Sequence, residues 1–292
     1  MELLILHTLL IKGVDVMKKR RSKLNNNYKK MAMISLGIFA IFLALFLLLK
    51  NINFTPHYKL ESRLDNLEKT KKENTLYKAF AWLKIQGTTI DLAILNSHDE
   101  ISDSNSIPVE LEEFGWTLTG DSKYHNVMNF MGHNVFNLGV KPTINSDDFH
   151  RFEDVMAFIY YDFAKENKYM QLSIDGEEYV YKIFAASFLY PTDVILFPDG
   201  DYNETQKKDY IRLLNSTSIY NYDVDVNVND DIMSVVTCTR FFGRDGTTDF
   251  LIAGRRVRDG EKLNNYKVSK NKRYKDVENV LKGDDGNEED SV

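Results

Sequence analysis

The segment "YMQLSIDGEEYVYKIFAASFLY", Tyr169 to Tyr190, restricts the fold more than any other part of the chain. Apolar and polar residues alternate on both sides of Asp175-Gly176, and alternation with a period of two is the mark of a half-buried strand. An Asp-Gly pair between two such runs is a strong hairpin signal, because both central residues of the favoured turn take positive φ. Further strand candidates follow the same pattern. "WLKIQGTTIDLAIL" (Trp82 to Leu95) breaks at Gly87-Thr88-Thr89, and "NVMNFMG" (Asn126 to Gly132) alternates. "DIMSVVTC" and "DFLIAGRRV" lie near the end of the apolar part of the chain, with Arg255 and Arg256 expected to face solvent. Helical spacing occurs at "DDFHRFEDVMAFIYYDF" and "ETQKKDYIRLLNST". The expectation is a mainly β domain, a closed or nearly closed β-barrel with inserted helices. Leu60, Leu64 and Leu67, spaced helically among charges, predict an N-terminal amphipathic helix in front of it.

The N-terminal part has a different character. "MAMISLGIFAIFLALFLLL", Met31 to Leu49, is nineteen residues without a charge. At 1.5 Å per residue, that is about enough for a helix to cross the hydrocarbon core. Seven Lys/Arg lie in Met17 to Lys30, while Lys50 is the charge immediately after the run. The positive-inside rule then keeps the N-terminus cytoplasmic and exports the rest. The run exceeds a usual signal-peptide core and no small-residue cleavage site follows, so an uncleaved single-pass anchor is favoured over a signal peptide. Residues 1–16 precede the basic cluster, which raises Met17 as an alternative start. The organisation expected is thus 1–30 cytoplasmic and basic, 31–49 transmembrane, 50–77 linker and N-terminal helix, 78–258 catalytic domain, and 259–292 a polar, partly disordered tail. From about Arg258 no apolar period is visible, and the last dozen or so residues read as disordered.

A net charge of −6 leaves no footprint for nucleic acid. "NVNDD" lacks the ligand spacing of a calcium loop and "GDDGNEED" reads as a solvated tail, so neither a metal nor a cofactor is expected. Cys238 is the only cysteine, so it can make no intramolecular disulfide. A lone cysteine is commonly a buried core residue. Here it sits where an apolar run gives way to Thr-Cys-Thr-Arg, at a strand end and near cations that favour a thiolate. A cysteine nucleophile needs a proton partner. Of the six histidines, His133 is placed for this role, at the C-terminal end of "NVMNFMG" and followed by an asparagine.

"FMGHNVFNLG" followed about a hundred residues later by "SVVTCTR" resembles the sortases, membrane-anchored cysteine transpeptidases of Gram-positive bacteria. "WLKIQGTTIDLAIL" and the stretch from Thr205 to Cys238 are similar to the class B members, and the resemblance covers roughly residues 78–258. It implies that Cys238 attacks the Thr carbonyl of a sorting signal to give a thioester. It also implies that His133 protonates the leaving amine and deprotonates the incoming one, that Thr237 lines the groove, and that an arginine steadies the oxyanion. The partners implied are sorting-signal-bearing surface proteins and an amine of the cell-wall peptidoglycan precursor or a pilin. The family's arginine opens the strand after the cysteine, where this chain has Thr248 or Asp249. Arg240, nearest in the chain, is the favoured substitute, Arg244 the second. The third reading is that the arginine is missing and the protein is a weak or silent sortase-fold scaffold at the cell wall. Hydrolysis rather than transfer on the same fold is also open. A further departure is Gly115-Trp116-Thr117-Leu118 before the histidine strand, which bears on groove shape.

Overall fold

Asp175 and Gly176 form the expected two-residue turn, with φ of 53° and 79°, and Ile174 faces Glu177 across it. The computed structural model describes residues 28, 30, 31, 33–38, 60–73, 78–95, 115–117, 122–132, 151–189, 201–239, 241–242, 248–263 and 265–283. The chain divides into two units, Met1–Pro56 and His57–Val292. In the first, the described residues are helical, and Met31, Met33, Ile34 and Leu36 are exposed. Among the described residues no helix is long and apolar enough to cross a membrane. The expected span Met31 to Leu49 lies largely outside them.

In the second unit the described residues form a closed barrel of eight strands. They are β1 (Ala79–Ile85), β2 (Asp91–Leu95), β3 (Gly115–Thr117), β4 (Val127–Gly132), β5 (Tyr169–Ile174), β6 (Glu177–Leu189), β8 (Ile232–Thr239) and β9 (Thr248–Arg256). Their order around the barrel is β1-β2-β3-β4-β8-β9-β6-β5. The β2–β3 and β4–β8 pairs are parallel; the other neighbouring pairs are antiparallel. Two short strands, β7 (Tyr220–Tyr222) and β10 (Val268–Lys270), pair separately.

Alternation decides which side chains fill the barrel. Met128, Phe130, Met233, Val235, Phe250 and Ile252 belong to one buried cluster. Val127, Ile232, Val236, Leu251 and Ala253, at the intervening positions, belong to a second with Tyr210, Ile211 and Leu214. The last three come from the helix Glu204–Thr217. Strands buried on both faces read as continuous apolar runs, which accounts for "DIMSVV".

Of the helices, α1 (Leu64–Glu73) is the amphipathic one, and Leu67 is buried against Ala79, Ala93 and Leu95. The described part of the helically spaced segment holds a 3₁₀ helix, Arg151–Ile159, and the first turn of the short α2, Tyr161–Glu166. The helix Glu204–Thr217, α3, begins where Asn203 Oδ1 accepts from the Gln206 amide at 3.0 Å, while Gln206 Oε1 accepts from the Asn203 amide at 2.9 Å. This reciprocal cap satisfies two otherwise orphaned donors.

The polar stretch after Arg258 contains β10 and α4 (Tyr274–Gly283), with Tyr266, Val268, Tyr274 and Val277 in the main core. These anchors are divided between an extended strand and a helix, so no single period reveals them. The segment is fastened by a buried ion cluster. Arg255 donates to both Glu261 oxygens at 2.5 and 2.7 Å, and Lys182 Nζ donates to Glu261 Oε1 at 2.6 Å. Arg255, expected to face solvent, is 3% exposed. The carboxylate brought back by the chain after β9 makes burial of the guanidinium tolerable. Arg256 bonds Asp231 at 3.3 Å and lies over the Tyr179 ring.

Candidate active site

Three neighbouring strands build the region around Cys238. The parallel ladder of β4 and β8 runs from Val127 opposite Ile232 to Met131 opposite Val236. His133 and Cys238 are separated in the sequence by the same interval as each of these pairs. His133 itself lies outside the described residues. On its other edge β8 pairs with β9, and Cys238 is opposite Asp249. Position 238 continues the parity of Ile232, Ser234 and Val236, the side covered by α3.

Gly132, before the histidine, has a steric reason to be glycine. A Cβ there would run into the ring of Phe152 from the 3₁₀ helix. Gly132→Ala is therefore expected to displace Phe152, at a cost of about 1–3 kcal/mol. Urea unfolding of the variant measures this, and Phe152→Leu in the same background should recover part of the loss.

Thr237 is described: it is buried, 1% exposed, and shares the parity of Met233 and Val235. After β8 the chain is pinned by aromatic packing. The Phe241 amide donates to Thr239 Oγ1 at 3.1 Å, and the Phe241 ring stacks on Phe188 with centroids 5.5 Å apart. Arg240 and Arg244 lie outside the described residues. The start of β9 carries Thr248 and Asp249, opposite Thr239 and Cys238. Arg255 and Arg256 are at its far end, committed to Glu261 and Asp231.

Two features escaped the sequence reading. The first is a buried polar cluster on the same face. Tyr210 Oη of α3 donates to Asn129 Oδ1 at 3.0 Å. Its proton is thereby used, so Ser234 Oγ, 2.6 Å away, donates to it. Asn129 and Ser234 are themselves opposite one another in the β4–β8 ladder. Asn129 stands on an alternating strand and Ser234 on one that reads as apolar, and only the packing of α3 discloses their partner.

The second is the acidic pair of the 3₁₀ helix. Asp154 Oδ2 accepts from the Thr89 amide at 2.7 Å. Burial, and then the neighbouring Asp154, push the Glu153 carboxyl up to about 7. In the folded protein Glu153 thus holds its proton to higher pH than the ordinary value of 4.5. Its contribution to stability is complete below that ordinary value and is lost as pH rises toward 7. Glu153→Gln is expected to remove this loss, leaving the variant more stable than the parent at pH 8 by on the order of 2 kcal/mol. Denaturation at pH 5 and pH 8 checks it: the advantage should vanish at the lower pH.

Among the described residues no group of three or more His, Cys, Asp or Glu could hold a metal ion. No protein-family model matches the chain. No curated protein sequence matches it either. The fold, however, matches solved structures. A Staphylococcus aureus sortase B–substrate complex superposes with a TM-score of 0.51 at 16% identity, over 66% of this chain and 85% of the other. The fold is that of a class B sortase. A cysteine-to-serine mutant form of Clostridium perfringens sortase B matches with a TM-score of 0.50 at 20% identity, over 67% and 88% of the two chains. S. aureus sortase B complexed with MTSET gives 0.50 at 17%, over 67% and 77%. The sortase fold is thus formed by a sequence that differs from these proteins at about four in five of the aligned positions.

Proposed function

We propose that this sortase-fold protein is a cysteine transpeptidase. Cys238 attacks the carbonyl of a Thr in a sorting signal, the leaving amine departs with a proton from His133, and the resulting thioester passes to an amine acceptor. The observation carrying this reading is the β4–β8 register, whose constant interval also relates His133 to Cys238. In this reading a nucleophile in β8 and a proton carrier following β4 in the chain act on one reacting carbonyl. Thr237, buried beside the thiol position, forms the groove floor. Arg240 supplies the guanidinium for the oxyanion from the turn after β8, since the β9 position opposite Cys238 is an aspartate.

The partners in this reading are surface proteins bearing the signal and a wall or pilin amine. The run Met31 to Leu49 holds the protein in the cell membrane with its N-terminus cytoplasmic and the barrel outside. The deciding experiment incubates the full chain with a library of Thr-containing sorting-signal peptides and maps mass gains by peptide mass spectrometry. A hydroxylamine-sensitive adduct on Cys238 supports the proposal; no adduct with any peptide, while Cys238 remains alkylatable, refutes it. In that event the second reading, a silent sortase-fold scaffold, gains from the same Asp249 that takes the place of an arginine.

A further inference from the structure

Asp249 is the one half-buried carboxylate of the described barrel strands that no neighbour satisfies. Asp91 accepts from Arg63 and Trp82 at 2.7 to 3.2 Å. Glu178 accepts from Ser62, the Arg63 amide, Gln171 and Ser173 at 2.6 to 2.9 Å. Asp249, with buried Leu189 opposite it on β6 and Cys238 opposite it on β8, has neither hydrogen bond nor ion pair among the described residues. Partly desolvating a carboxylate without a partner costs free energy, and a cation supplied from outside recovers it.

Its position says where that cation has to be. Residues directly opposed in an antiparallel pair share a face of the sheet, with strands about 4.8 Å apart. A thioester formed at position 238 therefore lies within a few ångströms of a negative charge. We propose that Asp249 seats the ammonium group of the amine acceptor, which makes it a specificity-determining residue for primary amines. The inference rests on the transpeptidase reading. The seated ammonium gives up one proton, and the nitrogen lone pair then forms the N–C bond. The C–S bond breaks with its pair going to sulfur. The second nitrogen proton ends on that thiolate, so the products are an amide, the free thiol and one released proton. The same carboxylate disfavours the Cys238 thiolate in the empty enzyme, because like charges oppose ionisation.

The test uses the full chain, its Asp249→Asn and Asp249→Glu variants, and two nucleophiles. Glycinamide is largely cationic at neutral pH; hydroxylamine is neutral. For Asp249→Asn, the glycinamide concentration giving half-maximal transfer should rise ten-fold or more. Hydroxylamine should cleave the same thioester within two-fold of the parent rate. Asp249→Glu should restore most of the glycinamide preference. Equal change with both nucleophiles, or none with either, overturns the proposal. So does a loss in Asp249→Asn confined to thioester formation from lysine-containing peptides, which would assign the cation to the signal instead. A peptide-free measurement separates this from failure of the parent reading: the pH midpoint of iodoacetamide alkylation of Cys238 should fall in Asp249→Asn. An unshifted midpoint overturns the inference even in an active enzyme. A shifted midpoint in a protein that forms no thioester refutes the transpeptidase, not the coupling of Asp249 to the thiol.

Discussion

Cys238→Ala is expected to abolish acyl-enzyme formation completely, because no other cysteine exists to form a thioester. His133→Ala should lower turnover by about 10²–10⁴-fold, the usual worth of a positioned acid–base group. The two losses should differ in kind. With the alanine at position 238 no covalent adduct forms at any pH. With His133 replaced the thiol survives, and a signal carrying a good leaving group, such as a thiol ester, should still acylate it. Intact-mass measurement with amide and ester substrates separates these outcomes. If Cys238→Ala still cleaves, the nucleophile has been misassigned. If His133→Ala slows amide and ester substrates equally, the histidine has no part in protonating the leaving group.

Glu261→Gln should produce the largest stability loss. Arg255 and Lys182 are almost wholly buried, at 4% and 5% side-chain exposure, and the Glu261 carboxylate balances both. Removing one member of a buried ion cluster typically costs about 3–5 kcal/mol, because charge is left without compensation. Glu261 keeps 25% exposure, so some water reaches the site and the lower end, about 3 kcal/mol, is expected. For a unit of this size that corresponds to roughly 6–12 °C in Tm. The Arg255 guanidinium, and less strongly Lys182, hold the Glu261 carboxyl far below its ordinary 4.5. A depressed carboxylate contributes stability that is complete above the ordinary value and lost as pH falls below it. The parent should therefore weaken on acidification from pH 5 to pH 3 more steeply than Glu261→Gln does. Urea midpoints at both pH values measure it, and parallel slopes would refute the assignment of the cluster as the clamp.

The elements legible in the sequence share one property: their signal is local. The β5–β6 hairpin follows from Asp175-Gly176, and α3 from the helical spacing of "ETQKKDYIRLLNST". The barrel class follows from repeated alternation, and Cys238 at a strand end from the change to polar residues after Val236. What was hidden depends on contacts distant in the chain. Buried Arg255 resembles any arginine at a strand end until Glu261 and Lys182 are seen beside it. Asn129 looks like a solvent-facing position of an alternating strand, and Ser234 like a fault in an apolar one, until Tyr210 arrives from α3. The order of β8 beside β4 cannot be read from either strand's own pattern. Neither can the pairing of Cys238 with Asp249.

The parallel join of β4 to β8 also bears on the order in which the barrel is completed. These strands are neighbours in space but about a hundred residues apart in the chain. The entropy of closing so long a loop is spent before the ladder returns any stabilisation, and contacts of this kind form slowly. The hairpin of β5 and β6 needs no such closure. During synthesis, the segment carrying His133 leaves the ribosome well before the one carrying Cys238. In the transpeptidase reading, the thiol then stays without its proposed proton partner until β4 and β8 have joined, so its reactivity would report that join.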